Sequence, residues 1–307
     1  MHTHPTGAAI PAISSPLRFS VLVAISLLIW WRPLISTITL ALRDDQYTHI
    51  LLILPVSLTL ICLDWKSSDT PVEARSSLGY LLLGGAIAVT ALARLQLLRL
   101  RPDEQLATNM LALVTWWIAS FLVSFGLHAF KRALFPLCFL LWTIPLPEVL
   151  LNPIVRLLQE GSMESARLLF AIGGVPVVQD GLLLTIPGLT IEVARECSSI
   201  RSSLMLVVTT MVLAQVSLRS AWRRALVIAV VIPLSVAKNG LRVFVLAMLT
   251  TRVDRSFITG RLHHQGGIIY FLIALATIVL LIWVARRSEQ KSRLFPQTAD
   301  PLFQENS

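Results

Sequence analysis

The sequence predicts an all-α integral membrane protein of about eight transmembrane helices, and three observations carry that class. Apolar residues make up 55 % of the 307 positions and charged residues 14 %, where a soluble domain carries roughly 25 % charge. The apolar residues gather in runs of about twenty, long enough to cross the hydrocarbon core of a bilayer. The three cysteines, Cys62, Cys138 and Cys197, have no paired spacing, so neither a disulfide framework nor a zinc site is indicated. A soluble globular enzyme, a disordered chain and a secreted disulfide scaffold are thereby excluded.

Residues 1–17 are polar and Pro-containing. No small-residue cleavage site follows the first apolar run, which reads as a retained span rather than a signal peptide. That span covers about residues 19–42 and is interrupted at Arg32-Pro33, as for a shorter helix followed by an interfacial turn. The others are expected near 50–63, 78–97, 106–125, 133–151, 198–218, 224–249 and 267–285. Cys62 and Cys138 fall inside such runs, where a thiol acts as a small hydrophobe. Without a repeat or a linker, residues 1–307 read as one polytopic domain with tails at 1–17 and 286–307.

Between the fifth and sixth spans lies segment 152–196. Its first half places Ile154, Leu157, Leu158, Ala166, Leu169 and Phe170 among Arg156, Glu160, Glu164 and Arg167. That pattern predicts an amphipathic helix in the interface plane or packed on the bundle. Its second half, GVPVVQDGLLLTIPGLTIEV, is β-branched and punctuated by Gly and Pro, which predicts a short hairpin.

The net charge of +9 does not indicate nucleic acid, since no basic stripe with interleaved aromatics lies outside the spans. In a multi-spanning chain it marks loops beside anionic lipid. An odd–even walk puts Lys66/Arg75, Lys131/Arg132, Arg219/Arg223/Arg224 and the C-terminal basic residues on one side. The positive-inside rule makes that side cytoplasmic, with both termini inside and segment 152–196 at the outer face.

Three polar clusters stand out in the C-terminal half: RECSSIRSS (Arg195 to Ser203), KNGLRV (Lys238 to Val243) and RLHHQGG (Arg261 to Gly267). An ionisable residue inside a span is a functional candidate by default. Consecutive spans run antiparallel, so the start of the sixth, the end of the seventh and the start of the eighth share one face. Arg242 lies about eighteen residues past Arg224, roughly 27 Å along a helix, level with Cys197 and the His263–His264 pair. A Cys, a His and an Arg at one site suit nucleophilic acyl transfer. Nearby cations and a helix N-terminus favour the thiolate, a His moves the proton, and an Arg stabilises an oxyanion. Arg201, Ser198 and Asn239 support such a site or contact its substrate.

The clusters, in order, resemble the exosortase/archaeosortase family of membrane-embedded cysteine transpeptidases. The resemblance rests on Cys197-Ser198-Ser199-Ile200-Arg201-Ser202, on Asn239-x-x-Arg242 and on His263-x-x-x-Gly267-x-x-x-Phe271, with YTHILLILPVS from Tyr47 and WTIPLPE from Trp142 upstream. It extends from about Asp44 to the eighth span. It implies Cys197 as nucleophile, His263 as general acid/base and Arg242 as oxyanion stabiliser, with His264 adjacent and no metal or organic cofactor. Ser199 stands where the family commonly has Gly, a departure that bears on how closely a backbone approaches. The implied substrates are exported proteins with a C-terminal tripartite signal: a Pro-Glu-Pro-like motif, a transmembrane helix and a basic cluster. They are passed, through a thioester, to an acceptor linked to extracellular polysaccharide or lipid. The setting implied is a bacterial inner membrane, with the site at its periplasmic face.

Tyr47, His49 and Glu148 read as packing or outer-face positioning groups, and Glu192 and Glu196 as partners of nearby arginines. Two other classes compete. A transporter or channel would line an anion path with Lys238, Asn239 and Arg242, and a scaffold for polysaccharide export would not need Cys197.

Overall fold

A computed structural model describes residues 14–65, 76–181, 183–192, 200–252 and 267–294. Its helices are α1 (Ser15–Arg43), α2 (Ile50–Trp65), α3 (Ser77–Arg94), α4 (Pro102–Arg132), α5 (Leu134–Phe139), α6 (Glu148–Ile172), α7 (Ile200–Ser217), α8 (Ala221–Arg252) and α9 (Gly267–Leu294). Seven stretches among the described residues are long and apolar enough to cross a membrane, or eight if α5 and α6 form one broken span. The chain is an all-α multi-span membrane protein with one small sheet. It divides into two compact units, Met1–Glu148 and Val149–Ser307.

In the first unit α4 is the most enclosed helix, and α1 and α3 pack on it. Apolar surroundings cannot hydrate a polar group, so each indole that reaches inward needs a partner. Trp30 donates to Thr90 Oγ1 at 3.1 Å, Trp116 to the Leu22 carbonyl at 2.9 Å and Trp117 to Ser26 Oγ at 2.9 Å. Helix α3 approaches α4 through Gly79, where a Cβ would stand 2.5 Å from Val123 Cγ2. Near its end α4 breaks at Gly126, whose φ of +82° favours glycine.

Helix α1 does not end at Arg32-Pro33 as the sequence suggests. It kinks at Trp30 and continues to Arg43. Pro33 has no amide hydrogen to offer the carbonyl of Ile29, four residues back. The Arg94 guanidinium donates to that carbonyl at 2.6 Å, so the helix passes the proline with the orphaned acceptor satisfied.

The fifth predicted span also differs. A six-residue α5 passes into a 3₁₀ turn, Leu140–Thr143, and then into irregular backbone up to Glu148. Pro145 and Pro147 account for the interruption, since each lacks an amide donor and pushes its predecessor out of the helical region. The tightened turn leaves the Pro136 carbonyl to Ser57, whose hydroxyl donates to it at 2.7 Å.

In the second unit α6 is amphipathic as expected, and its buried stripe keeps Leu158, Ala166 and Phe170 of the expected face. Leu151, Val155, Leu158, Ser162, Met163, Ala166 and Phe170 are buried, whereas Ile154 and Leu157 face outward. The stripe mixes large apolar residues with small ones, and α8 lies close where Gly161, Ser165 and Ala166 are small. A Cβ at Gly161 would stand 3.1 Å from Val236, and one at Gly240 would run into Ser165.

The predicted hairpin is a three-stranded antiparallel sheet, β1 (Val178–Asp180), β2 (Leu183–Ile186) and β3 (Leu189–Glu192). Pro187-Gly188 makes the second turn, with Gly188 at φ +84° and Ile186 opposite Leu189. Leu184 and Ile186 pack onto Met163, Ala166 and Phe170 of α6 and Val243 and Ala247 of α8. Helices α7, α8 and α9 share a second core around Leu206, Val231, Ala274 and Ile278.

At the basic end of that bundle the Glu289 carboxylate of α9 accepts from the backbone amides of Arg219 and Ser220 and pairs with Arg223 at 3.6 Å. Helix α9 runs on to Leu294, so the segment expected as a tail from residue 286 begins as helix. Helix α1 likewise begins at Ser15, inside the expected N-terminal tail.

Candidate functional site

All described members of the three polar clusters belong to the second unit. Arg201, Ser202 and Ser203 form the first turn of α7, Lys238, Asn239 and Arg242 lie on the C-terminal half of α8, and Gly267 opens α9. These three helices pack on one another. Because they alternate in direction, the start of α7, the end of α8 and the start of α9 meet at one end of the bundle.

Two contacts fix that meeting. The Lys238 ammonium donates to Ser202 Oγ, joining α8 to the first turn of α7. The Arg242 guanidinium reaches α9: a Cβ built at Gly267 would lie 3.9 Å from its Nη1. Any larger residue at Gly267 narrows that space. Arg242 also stands within electrostatic reach of the Tyr270 phenol, one turn into α9. Tyr270 escapes a reading of the sequence, since an aromatic at a helix start is usual at a membrane interface.

Lys238 and Asn239 are 7 % and 1 % exposed, while Arg201 is exposed. Helix α8 thus has two working faces. Val236, Gly240, Val243 and Ala247 turn toward α6 and the sheet, and Lys238 and Arg242, four residues apart, turn toward α7 and α9. Cys197, Ser198, Ser199, Glu196, His263 and His264 lie outside the described residues, as does the side chain of Glu192.

The family model for transmembrane exosortases (Exosortase_EpsH) matches residues 30–280. The chain belongs to the transmembrane exosortase family. No curated protein and no solved structure matches it. The upstream motifs also converge, within the first unit. The Tyr47 hydroxyl donates to the Leu146 carbonyl at 3.2 Å, and the His49 ring meets Trp142 edge-on at 6.4 Å. The Glu148 amide donates to Asp103 at 2.9 Å. His49 is buried, with Nδ1 3.2 Å from the Gln46 carbonyl. Tyr47 and His49 therefore pack YTH against WTIPLPE, and the Glu148 backbone ties that segment to the start of α4. Cys62 and Cys138 are free thiols on outward helix surfaces.

Proposed function

We propose that this exosortase-family chain is a cysteine transpeptidase acting on exported proteins with a C-terminal tripartite sorting signal. The Cys197 thiolate attacks the scissile carbonyl after His263 takes its proton. Arg242 stabilises the resulting oxyanion, and His263 returns the proton to the leaving amine as the thioester forms. An acceptor, in polysaccharide or lipid-linked, or water, then resolves the thioester and frees the thiol. Arg201, Ser198, Asn239 and His264 serve as supporting groups. No metal or organic cofactor enters this chemistry. The work is done at the periplasmic face of a bacterial inner membrane, with both termini cytoplasmic.

The observation that carries this reading is the approach of Arg242 to Gly267. The side chain of one motif reaches the backbone of another, four residues beyond His263 in sequence. The Lys238–Ser202 bond does the same for the first motif, since Cys197 is three residues before Ile200 and chain length alone keeps it within about 11 Å of that residue. A transporter with these cations along an anion path is less consistent with Lys238 and Asn239 being packed away.

The deciding experiment is in-cell processing of a tagged tripartite-tail protein by wild type and by Cys197→Ser at matched membrane levels. Processing by wild type and its loss in the variant is the expected result. Unchanged processing in Cys197→Ser removes the cysteine mechanism and favours transport or a scaffold.

A further inference from the structure

The first unit contains a cavity of about 820 Å³, far from the motifs in sequence, lined by Leu28, Ile29, Arg32, Arg94, Gln105 and Asn109 among others. It sits where the middle of α1 meets the end of α3 and the start of α4. Its chemistry is divided. Arg32 and Arg94 supply two guanidinium groups, and no carboxylate is among the described residues that line it. Leu28, Ile29 and Leu106 supply an apolar wall, and the Trp31 indole flanks Arg32, whose guanidinium lies 5.3 Å from the ring centre. Pro102, Gln105 and Leu106 of the first turns of α4 also line it, while Asp103 and Glu104 of that turn are engaged by the Glu148 and Arg101 amides.

Asn109 lines the same cavity. Asn109 is 6 % exposed, its amide nitrogen donates to the Gln105 carbonyl, and its buried Oδ1 has no hydrogen-bond partner. That oxygen is shut off from the cavity space, so it takes no part in what the cavity binds.

We propose that this cavity binds the phosphate group of an anionic membrane lipid, with the headgroup between Arg32 and Arg94 and the chains along Leu28 and Leu106. Paired guanidinium groups match phosphate oxygens in fork geometry. The Trp31 indole beside Arg32 extends the apolar side of the site. A soluble anion would leave the apolar wall unused, and a zwitterionic lipid would bring its own cation against two arginines. The assignment is independent of the transpeptidase reading, because none of its residues belongs to the three motifs.

The test uses full-length protein in detergent, titrated with phosphatidylglycerol or phosphatidylcholine and read by native mass spectrometry. Wild type is expected to retain phosphatidylglycerol selectively. Arg32→Gln, which leaves the Arg94–Ile29 contact intact, is expected to weaken it about fivefold, and Arg32→Gln with Arg94→Gln about thirtyfold. Arg252→Gln with Arg286→Gln removes the same charge elsewhere and is expected to leave retention unchanged. Equal retention of both lipids, undiminished binding in Arg32→Gln, or an equal loss in the charge-matched variant overturns the proposal. Displacement of the lipid by millimolar inorganic phosphate also overturns it, by identifying a soluble-anion site.

Discussion

A proline in a span is tolerated only when something else satisfies the carbonyl it abandons. Pro33 and Arg94 are that pair, one freeing the Ile29 acceptor and the other, 65 residues away, supplying the donor. The sequence shows the proline and places Arg94 near the end of a span, but the partnership depends on how α3 crosses α1. The expected consequence is a conditional one. Arg94→Gln lowers stability by about 1 kcal/mol in the native background. In a Pro33→Ala background the new amide reclaims Ile29, and Arg94→Gln becomes nearly neutral. Thermal unfolding of the four proteins in detergent measures the coupling, and equal losses in both backgrounds would disprove it. The same logic applies to Lys238. Its depth marks it as a polar residue needing a partner, yet that partner, Ser202, lies 36 residues back in sequence and emerges only from the packing of α7 on α8.

Helices in an apolar solvent gain no hydrophobic drive from meeting, so close approach through small residues decides how they pack. This explains why α6 buries Ser162 and Ala166 while leaving Leu157 outside. It also singles out Gly240. A Cβ there would run into the Ser165 side chain and stand 3.0 Å from the Ala166 amide nitrogen, and backbone cannot yield as a side-chain tip can. Gly240→Ala is therefore expected to cost about 1–3 kcal/mol and to disturb Arg242, two residues on. Gly84→Ala and Gly85→Ala are the controls: nothing lies within 4 Å of either added Cβ. There the better helix propensity of Ala applies, with a gain of up to about 1 kcal/mol. Comparing unfolding temperatures of the three variants checks this, and a loss at Gly84 as large as at Gly240 would show that the close approach at Gly240 does not set the cost. At this scale the sequence is most legible where apolar runs are unbroken. It is least so where prolines fall in a predicted span, as at Pro145 and Pro147, and where short β-branched runs conceal a third strand.

Antiparallel alternation is the property of the whole chain that the functional reading needs, and it follows from three consecutive spans joined by short connections. It was legible from span lengths alone, because about eighteen residues of helix carry Arg242 from one membrane boundary to the other. The reach of Arg242 toward Gly267 at the start of α9 and the bond of Lys238 to Ser202 at the start of α7 agree with it. Composition could not supply those contacts, which arise from side chains on the face of α8 opposite Gly240. The alternation makes a prediction that does not depend on catalysis. In a background without native cysteines, Arg201→Cys and Arg252→Cys are expected to react with an impermeant maleimide from one side of the membrane. Ser220→Cys and Arg286→Cys, at the end clamped by Glu289, are expected to react from the other. If the first pair is reached only from the periplasm, the charge-based orientation stands as well, since the arginine-rich α7–α8 turn then faces the cytoplasm. If Arg201→Cys and Arg252→Cys label from opposite sides, α7 and α8 do not both cross the membrane, and a site shared by α7, α8 and α9 is lost with them.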